Sequence, residues 1–225
     1  MNLELQKMIF EKQVNRRDLL SYKCVEPKTL HIQVFRNHSF ELVEHTIGMY
    51  LDYSQIGVVF EYSGYDDSLT FNELNKEADL LIIWIDTKRY NSSINEFLND
   101  RIKYLKEIYN KPVLIIPYGE ILNINSSSVF VYNLNKLEET MGESFIDERA
   151  KDATGTALSH KALMAISREL GLKILPALLK PALKAVIVDF DNTIYKGVLG
   201  EDGINGVELT EGHKALQEKL KSLSK

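Results

Sequence analysis

The chain has 225 residues, 44% of them hydrophobic and 26% charged, which is ordinary globular usage and excludes a disordered or fibrous chain. Its 27 Lys and Arg against 32 Asp and Glu leave a net charge of -5, so a nucleic-acid groove fed by excess positive charge is not expected. Cys24 is alone, which excludes an intramolecular disulfide or a cysteine-based zinc site and fits a reducing, cytoplasmic setting.

The opening residues MNLELQKMIFEKQ are amphipathic rather than signal-like. Leu3–Leu20 carries a ragged helical stripe of apolar residues. Short apolar runs then alternate with longer amphipathic segments. Thr29–Phe35 reads as a strand and Phe40–Leu51 as a helix with Leu42, Val43, Ile47 and Leu51 inward. Gly57–Tyr62 and Leu80–Asp86 are further strands, the second apolar at nearly every position, as a buried parallel strand requires. Leu80–Ile85 is also the longest apolar run, far short of the ~20 residues of a membrane span, so no membrane partner is expected. Ile94–Tyr109 is a helix with Phe97, Ile102, Leu105 and Ile108 on one side. Pro112–Tyr118 and Ser128–Tyr132 complete the strands, and residues 157–172 form a helix with Ser159 as N-cap and Gly171 as stop signal. This alternation predicts an α/β protein with a doubly wound parallel sheet. Pro176 and Pro181 lie in a stretch read as the joint between two units, 1–178 and 179–225. Ala185–Val188 is then predicted to be another buried strand, and the chain ends on a helix capped by Thr210, with Ala215, Leu216, Leu220 and Leu223 as its apolar face.

The strongest motif is VIVDFDNT. Four apolar residues lead into Asp189, Asp191 and Thr193, at the strand end where such sheets place their chemistry. Two carboxylates two residues apart in a tight turn can divide labour. The first attacks phosphorus while the second acts as general acid and then base. A hard cation such as Mg2+ offsets the repulsion between an attacking carboxylate and phosphoryl oxygens. The plainer alternative is a turn in which Asp189, Asp191 and Asn192 satisfy backbone donors. Glycines at 197, 200, 203 and 206 suit an irregular flap that approaches a phosphate.

At these residues the chain resembles the haloacid dehalogenase superfamily of phosphatases and phosphotransferases. Through DFDNTIYKGVLGEDG it is similar to the FkbH-like branch, with Tyr195 in place of the usual tryptophan and Lys196 in place of a glycine. The resemblance implies a nucleophile at Asp189, an acid/base at Asp191, Mg2+ held by both (at the second through its backbone carbonyl), and substrate contacts at Thr193 and Gly197. The superfamily also uses a downstream Ser/Thr, a Lys and further acids. Only 36 residues follow Asp189, and one βαβ unit takes ~30, so residues 179–225 are expected to be the opening strand, flap and helix of a larger domain, inactive alone.

FkbH-like proteins carry a region similar to SGNH/GDSL hydrolases ahead of this unit, and residues 30–172 have its strand–helix rhythm. That resemblance places Ser39 in FRNHSF as nucleophile, Gly64 in YSGYDD at the glycine after strand two, Asp86 in WIDTKRY where the hydrolases have an Asn after strand three, and His160 in ALSH as base. The acid expected three residues before the histidine is Ala157, leaving Asp147 or Asp152 to orient it. The plainer reading, which the residues favour, makes Ser39 the N-cap of the Phe40 helix and His160 a helix-start or partly buried polar residue, with Gly64 a turn residue of positive φ. The implied activity is Mg2+-dependent phosphoryl chemistry on a phosphorylated small molecule, tied in FkbH-like relatives to moving a glyceryl unit onto an acyl carrier protein in polyketide or polysaccharide biosynthesis. Two alternatives are an ester or acyl hydrolase using Ser39 and His160, and a non-catalytic module that docks the carrier protein.

Overall fold

A computed structural model describes residues 3–10, 14–65, 67–181 and 185–223. They form two compact units, Met1–Lys180 and Pro181–Lys225.

In the first unit, strands β1 (Leu30–Arg36), β2 (Val58–Tyr62), β3 (Leu80–Asp86), β4 (Val113–Tyr118) and β5 (Val129–Val131) make one all-parallel sheet ordered β2-β1-β3-β4-β5. This is the flavodoxin-like order expected of a doubly wound sheet. Around it lie α1 (Leu3–Phe10), α2 (Arg16–Ser21), α3 (Glu41–Tyr53), α4 (Asn95–Ile108), α5 (Asn135–Met141), α6 (Lys151–Thr154), α7 (His160–Glu169) and α8 (Leu175–Leu179). The central strand β3 is buried at every position, and its alternation sorts side chains to two cores. Leu80, Ile82 and Trp84 pack with Val43 and Ile47 of α3 and Leu163 and Ile166 of α7. Leu81, Ile83 and Ile85 pack with Leu98, Ile102 and Leu105 of α4. A polar face on either side of this sheet would leave one helical layer without an apolar partner.

The N-terminal stripe is split between α1 and α2, which lay Leu5, Ile9 and Leu19 on Met49 and Tyr50 of α3; residues 11–13 lie outside the described residues. Asp52 fixes the next segment, its carboxylate accepting from Tyr22 Oη at 2.9 Å, Val25 N at 2.7 Å and Glu26 N at 3.2 Å. On α4 the inward row is Leu98, Ile102 and Leu105, continued by the buried Tyr109 at its C-cap, while Phe97 is exposed. Both Phe97 and Leu98 satisfy a helical spacing to Ile102 within one residue, and the phase is set by the sheet, not by side-chain size.

Gly171 does not stop the helix. After α7 the chain passes through a π-helical turn, Leu170–Ile174, into α8. A Cβ on Gly171 would meet Tyr50 Cβ at 2.5 Å, so the glycine serves helix–helix approach rather than termination. Pro176 is tolerated because it opens α8, where its missing N–H is needed least. The helix ends before Pro181.

In the second unit the expected strand Ala185–Val188 is not a strand. It pairs with no other segment among the described residues, and Ile187 is 97% exposed. An extended segment needs a neighbour for its N–H and C=O groups, and among its described residues this unit offers only isolated bridges at Asp191/Tyr195 and Lys196/Glu208. A short helix, α9 (Leu199–Asp202), and the terminal α10 (Glu211–Leu223) follow. Thr210 sits at the expected cap position, its hydroxyl 2.7 Å from His213 Nδ1. The apolar face expected on α10 is uncovered, with none of its residues buried.

Among the described residues no helix is long and apolar enough to cross a membrane.

Candidate functional site

Asp189 and Asp191 lie on a turn stitched by the loop that follows it. Phe190 O receives Thr193 N and Ile194 N at 3.2 and 2.9 Å, while Asn192, at φ +55°, accepts from Gly197 N through Oδ1 at 2.9 Å. Asn192 N donates to Gly197 O at 3.1 Å, and Gly197 at φ +108° is a conformation that side-chain-bearing residues rarely adopt. Asp202 Oδ2 accepts from Val198 N at 2.8 Å, holding the flap at its far end.

Within this frame the two acids differ. Asp189 Oδ1 accepts only from Phe190 N at 2.8 Å, an exposed local contact. Asp191 Oδ1 accepts from Tyr195 Oη at 2.8 Å and Leu199 N at 3.1 Å. The bond to Asp191 and the negative charge of both aspartates raise the Tyr195 phenol above its ordinary range, so it remains a donor. The second oxygen of each carboxylate has no hydrogen-bond donor among the described residues. These are hard oxygen ligands of the type Mg2+ takes, an ion commonly held by one or two carboxylates while keeping several waters. Among the described residues no third acid, histidine or cysteine joins them. Thr193 and Gly197 sit in the same turn, Gly197 as its conformational pivot.

Of the SGNH-like candidates, Ser39 and Asp86 meet around Gly155, whose O accepts from Ser39 N and from Arg89 Nη2, the guanidinium paired with Asp86, whereas no hydrogen bond joins His160 to them among the described residues. Ser39 Oγ donates to Glu41 Oε2 at 2.9 Å, and Glu41 Oε2 also accepts from Phe40 N at 3.1 Å; the N-cap of α3 is Phe40, not Ser39. His160 opens α7 in a crevice with Arg16, Leu20, Leu42 and Thr46. Asp147 Oδ1 accepts from Ala150 N in a turn at 3.3 Å and orients no imidazole. Gly64 has no positive φ, and a Cβ there would meet nothing within 4 Å. Asp86 is buried and structural: it accepts from Lys88 N at 3.0 Å and pairs with Arg89 Nε at 3.2 Å. Its backbone exchanges bonds of 2.7 and 3.0 Å with the Asn37 side chain.

Sequence reading missed His38. It is fully buried, stacked on Trp84 with centroids 4.6 Å apart, and its Nδ1 lies 3.0 Å from Thr156 Oγ1. Its Nε2 is buried without a hydrogen-bond partner among the described residues. Burial, assisted by the positive charge of Arg89, pushes this imidazole down to about 3. The unfolded chain takes up a proton near pH ~6.5, whereas the folded one does not, so stability falls as pH drops below that value toward 3. The slope from this residue is at most about 1.4 kcal/mol per pH unit. Urea midpoints of His38→Gln are expected to fall less steeply than wild type between about pH 6.5 and 5; parallel profiles would contradict the assignment.

Comparison with known proteins gives a solved structure with the same fold. It is the N-terminal part of the protein BF1531 from Bacteroides fragilis, which contains a phosphatase domain and is complexed with Mg. The TM-score is 0.54 at 20% sequence identity over 88% of this chain. The present chain spans 66% of that one. No family model matches the sequence, and no curated protein matches it.

Proposed function

We propose that the chain carries the opening part of a Mg2+-dependent phosphatase or phosphotransferase centre of the haloacid dehalogenase type. The observation that carries the reading is the turn at 189–199. It holds two aspartates two residues apart, each with one carboxylate oxygen left without a donor among the described residues. The matched Bacteroides structure, described as a phosphatase domain complexed with Mg, supports the same reading.

Bound Mg2+, held by oxygens of Asp189 and Asp191, would supply positive charge to the phosphoryl oxygens. Asp189, the less encumbered carboxylate, attacks phosphorus, and the bond from phosphorus to the ester oxygen breaks as Asp191 gives that oxygen its proton. Water, or an acceptor, then attacks the aspartyl-phosphate. Asp191 takes the proton of the incoming group, the bond from phosphorus to Asp189 breaks, and both acids return to their starting state. Tyr195 and Leu199 N fix Asp191 from behind through one oxygen. Gly197 shapes the turn: its N–H and C=O both bond Asn192, and its φ of +108° suits glycine. The finer reading, resting on the FkbH-like motif, is transfer of a glyceryl unit from a phosphorylated three-carbon donor to an acyl carrier protein thiol.

The test is phosphomonoester hydrolysis by the full-length protein. Activity is expected to vanish in EDTA and to return with excess Mg2+; hydrolysis indifferent to EDTA would reject the reading.

A further inference from the structure

The carboxyl edge of the sheet in the first unit carries a second site, independent of the aspartate pair. α3, which follows β1, lies on one face of the sheet, and α4, which follows β3, lies on the other. β1 and β3 are neighbours, so the loops leaving them diverge and open a crevice between them. In sheets of this order ligands bind at that point. Here the crevice is lined by Asn37 after β1, Tyr65 and Ser68 after β2, and Arg89 and Tyr90 after β3. Its lining is polar, and its cation is held from beneath: Arg89 Nε is tied to the buried Asp86, and one Nη2 hydrogen goes to Gly155 O at 3.2 Å. A guanidinium has five donors, so three remain unengaged among the described residues, on a side chain that is 40% exposed. The hydroxyls of Ser68 and Tyr90 share a hydrogen bond of 3.3 Å, in which one donates to the other, so the pair has one O–H left to donate outward.

We infer that this crevice binds the oxyanion group of a small molecule, a phosphate or a carboxylate, with the Arg89 fork as anchor and the hydrogen-bonded Tyr90–Ser68 hydroxyl pair supplying one further donor. A planar fork fixed on one edge and open on the other suits bidentate capture of such a group, which a flexible lysine would not reproduce.

The test is an amide NMR titration of the full chain in EDTA, with inorganic phosphate in one arm and acetate in the other. Saturable shifts at Asn37, Ser68, Arg89 and Tyr90 are expected in at least one arm, and the arm that saturates first assigns the ligand as phosphorylated or carboxylic. Arg89→Ala is expected to weaken binding at least tenfold, Arg89→Lys to restore only part of it, and Tyr90→Phe, a mild change, to cost a few-fold. Asp189→Asn should bind as wild type does. The inference is overturned if neither anion shifts these residues, if Tyr90→Phe and Arg89→Lys both bind as tightly as wild type, or if the shifts are confined to residues 189–199. None of these outcomes depends on phosphatase activity, so this inference and the proposed function fail separately.

Discussion

Replacing Trp84 with alanine is expected to lower the stability of the first unit by about 3–5 kcal/mol, in the range typical of large buried aromatics. Trp84 is fully buried on β3, packs edge-on against Phe40 at 5.4 Å between centroids, and stacks on His38. Its indole N–H donates to Ser39 O at 3.1 Å, so truncation leaves both a cavity and a carbonyl without its partner. Against a total of ~5–15 kcal/mol for a domain, that is a large fraction. The thermal midpoint should fall by roughly 10 °C or more. Trp84→Phe keeps most of the packing and should lose less. Urea unfolding followed by circular dichroism checks both; a Trp84→Ala midpoint unchanged from wild type would contradict the placement of Trp84 at the centre of the core.

The second large effect concerns the aspartate turn. In the full-length protein, Asp189→Asn is expected to reduce Mg2+-dependent phosphomonoester hydrolysis on the order of 10^4-fold, the scale on which loss of a nucleophile is felt. Asp191→Asn should behave differently. With a nitrophenyl leaving group, which departs without a proton, the first step survives better than with an alkyl phosphate. The second step still lacks its base, so the phosphorylated enzyme should accumulate. Steady-state rates on the two substrates, together with a burst measurement, distinguish the roles. Equal losses of kcat/KM on both substrates for Asp191→Asn, with no phosphorylated enzyme accumulating, would contradict an acid/base function. Because both side chains are exposed or half-exposed, neither substitution should alter folding, which circular dichroism would confirm.

The sheet was legible because its strands are buried on both faces and are therefore nearly continuous apolar runs such as LLIIWID. Helix phase was less so: choosing Leu98 over Phe97 as the buried residue of α4 depends on the angle at which the helix meets the sheet. Gly171 carried a local stop signal that long-range packing against Tyr50 overrode. Ala185–Val188 has the composition of a buried strand but no neighbouring strand among the described residues, and composition alone cannot supply one.

The sites divide in the same way. Asp189, Asp191 and Gly197 were visible because their chemistry lies in one short motif whose turn is closed by its own residues. The crevice around Arg89 was not, since Asn37, Tyr65, Ser68 and Tyr90 come from three loops that only the strand order brings together. Ser39 drew attention from His38 beside it. An isolated histidine after a strand carries no periodic or spacing signal, and its burial arises from Trp84 and Thr156, which are distant in sequence.

The most direct measurement is mass spectrometry of the full-length protein quenched in acid during turnover of a phosphomonoester with Mg2+, followed by peptide mapping. One phosphoryl increment on the peptide containing Asp189, sensitive to hydroxylamine and absent in Asp189→Asn, is the expected result. Turnover with no such adduct in wild type or in Asp191→Asn, or an adduct that persists in Asp189→Asn, would contradict the account.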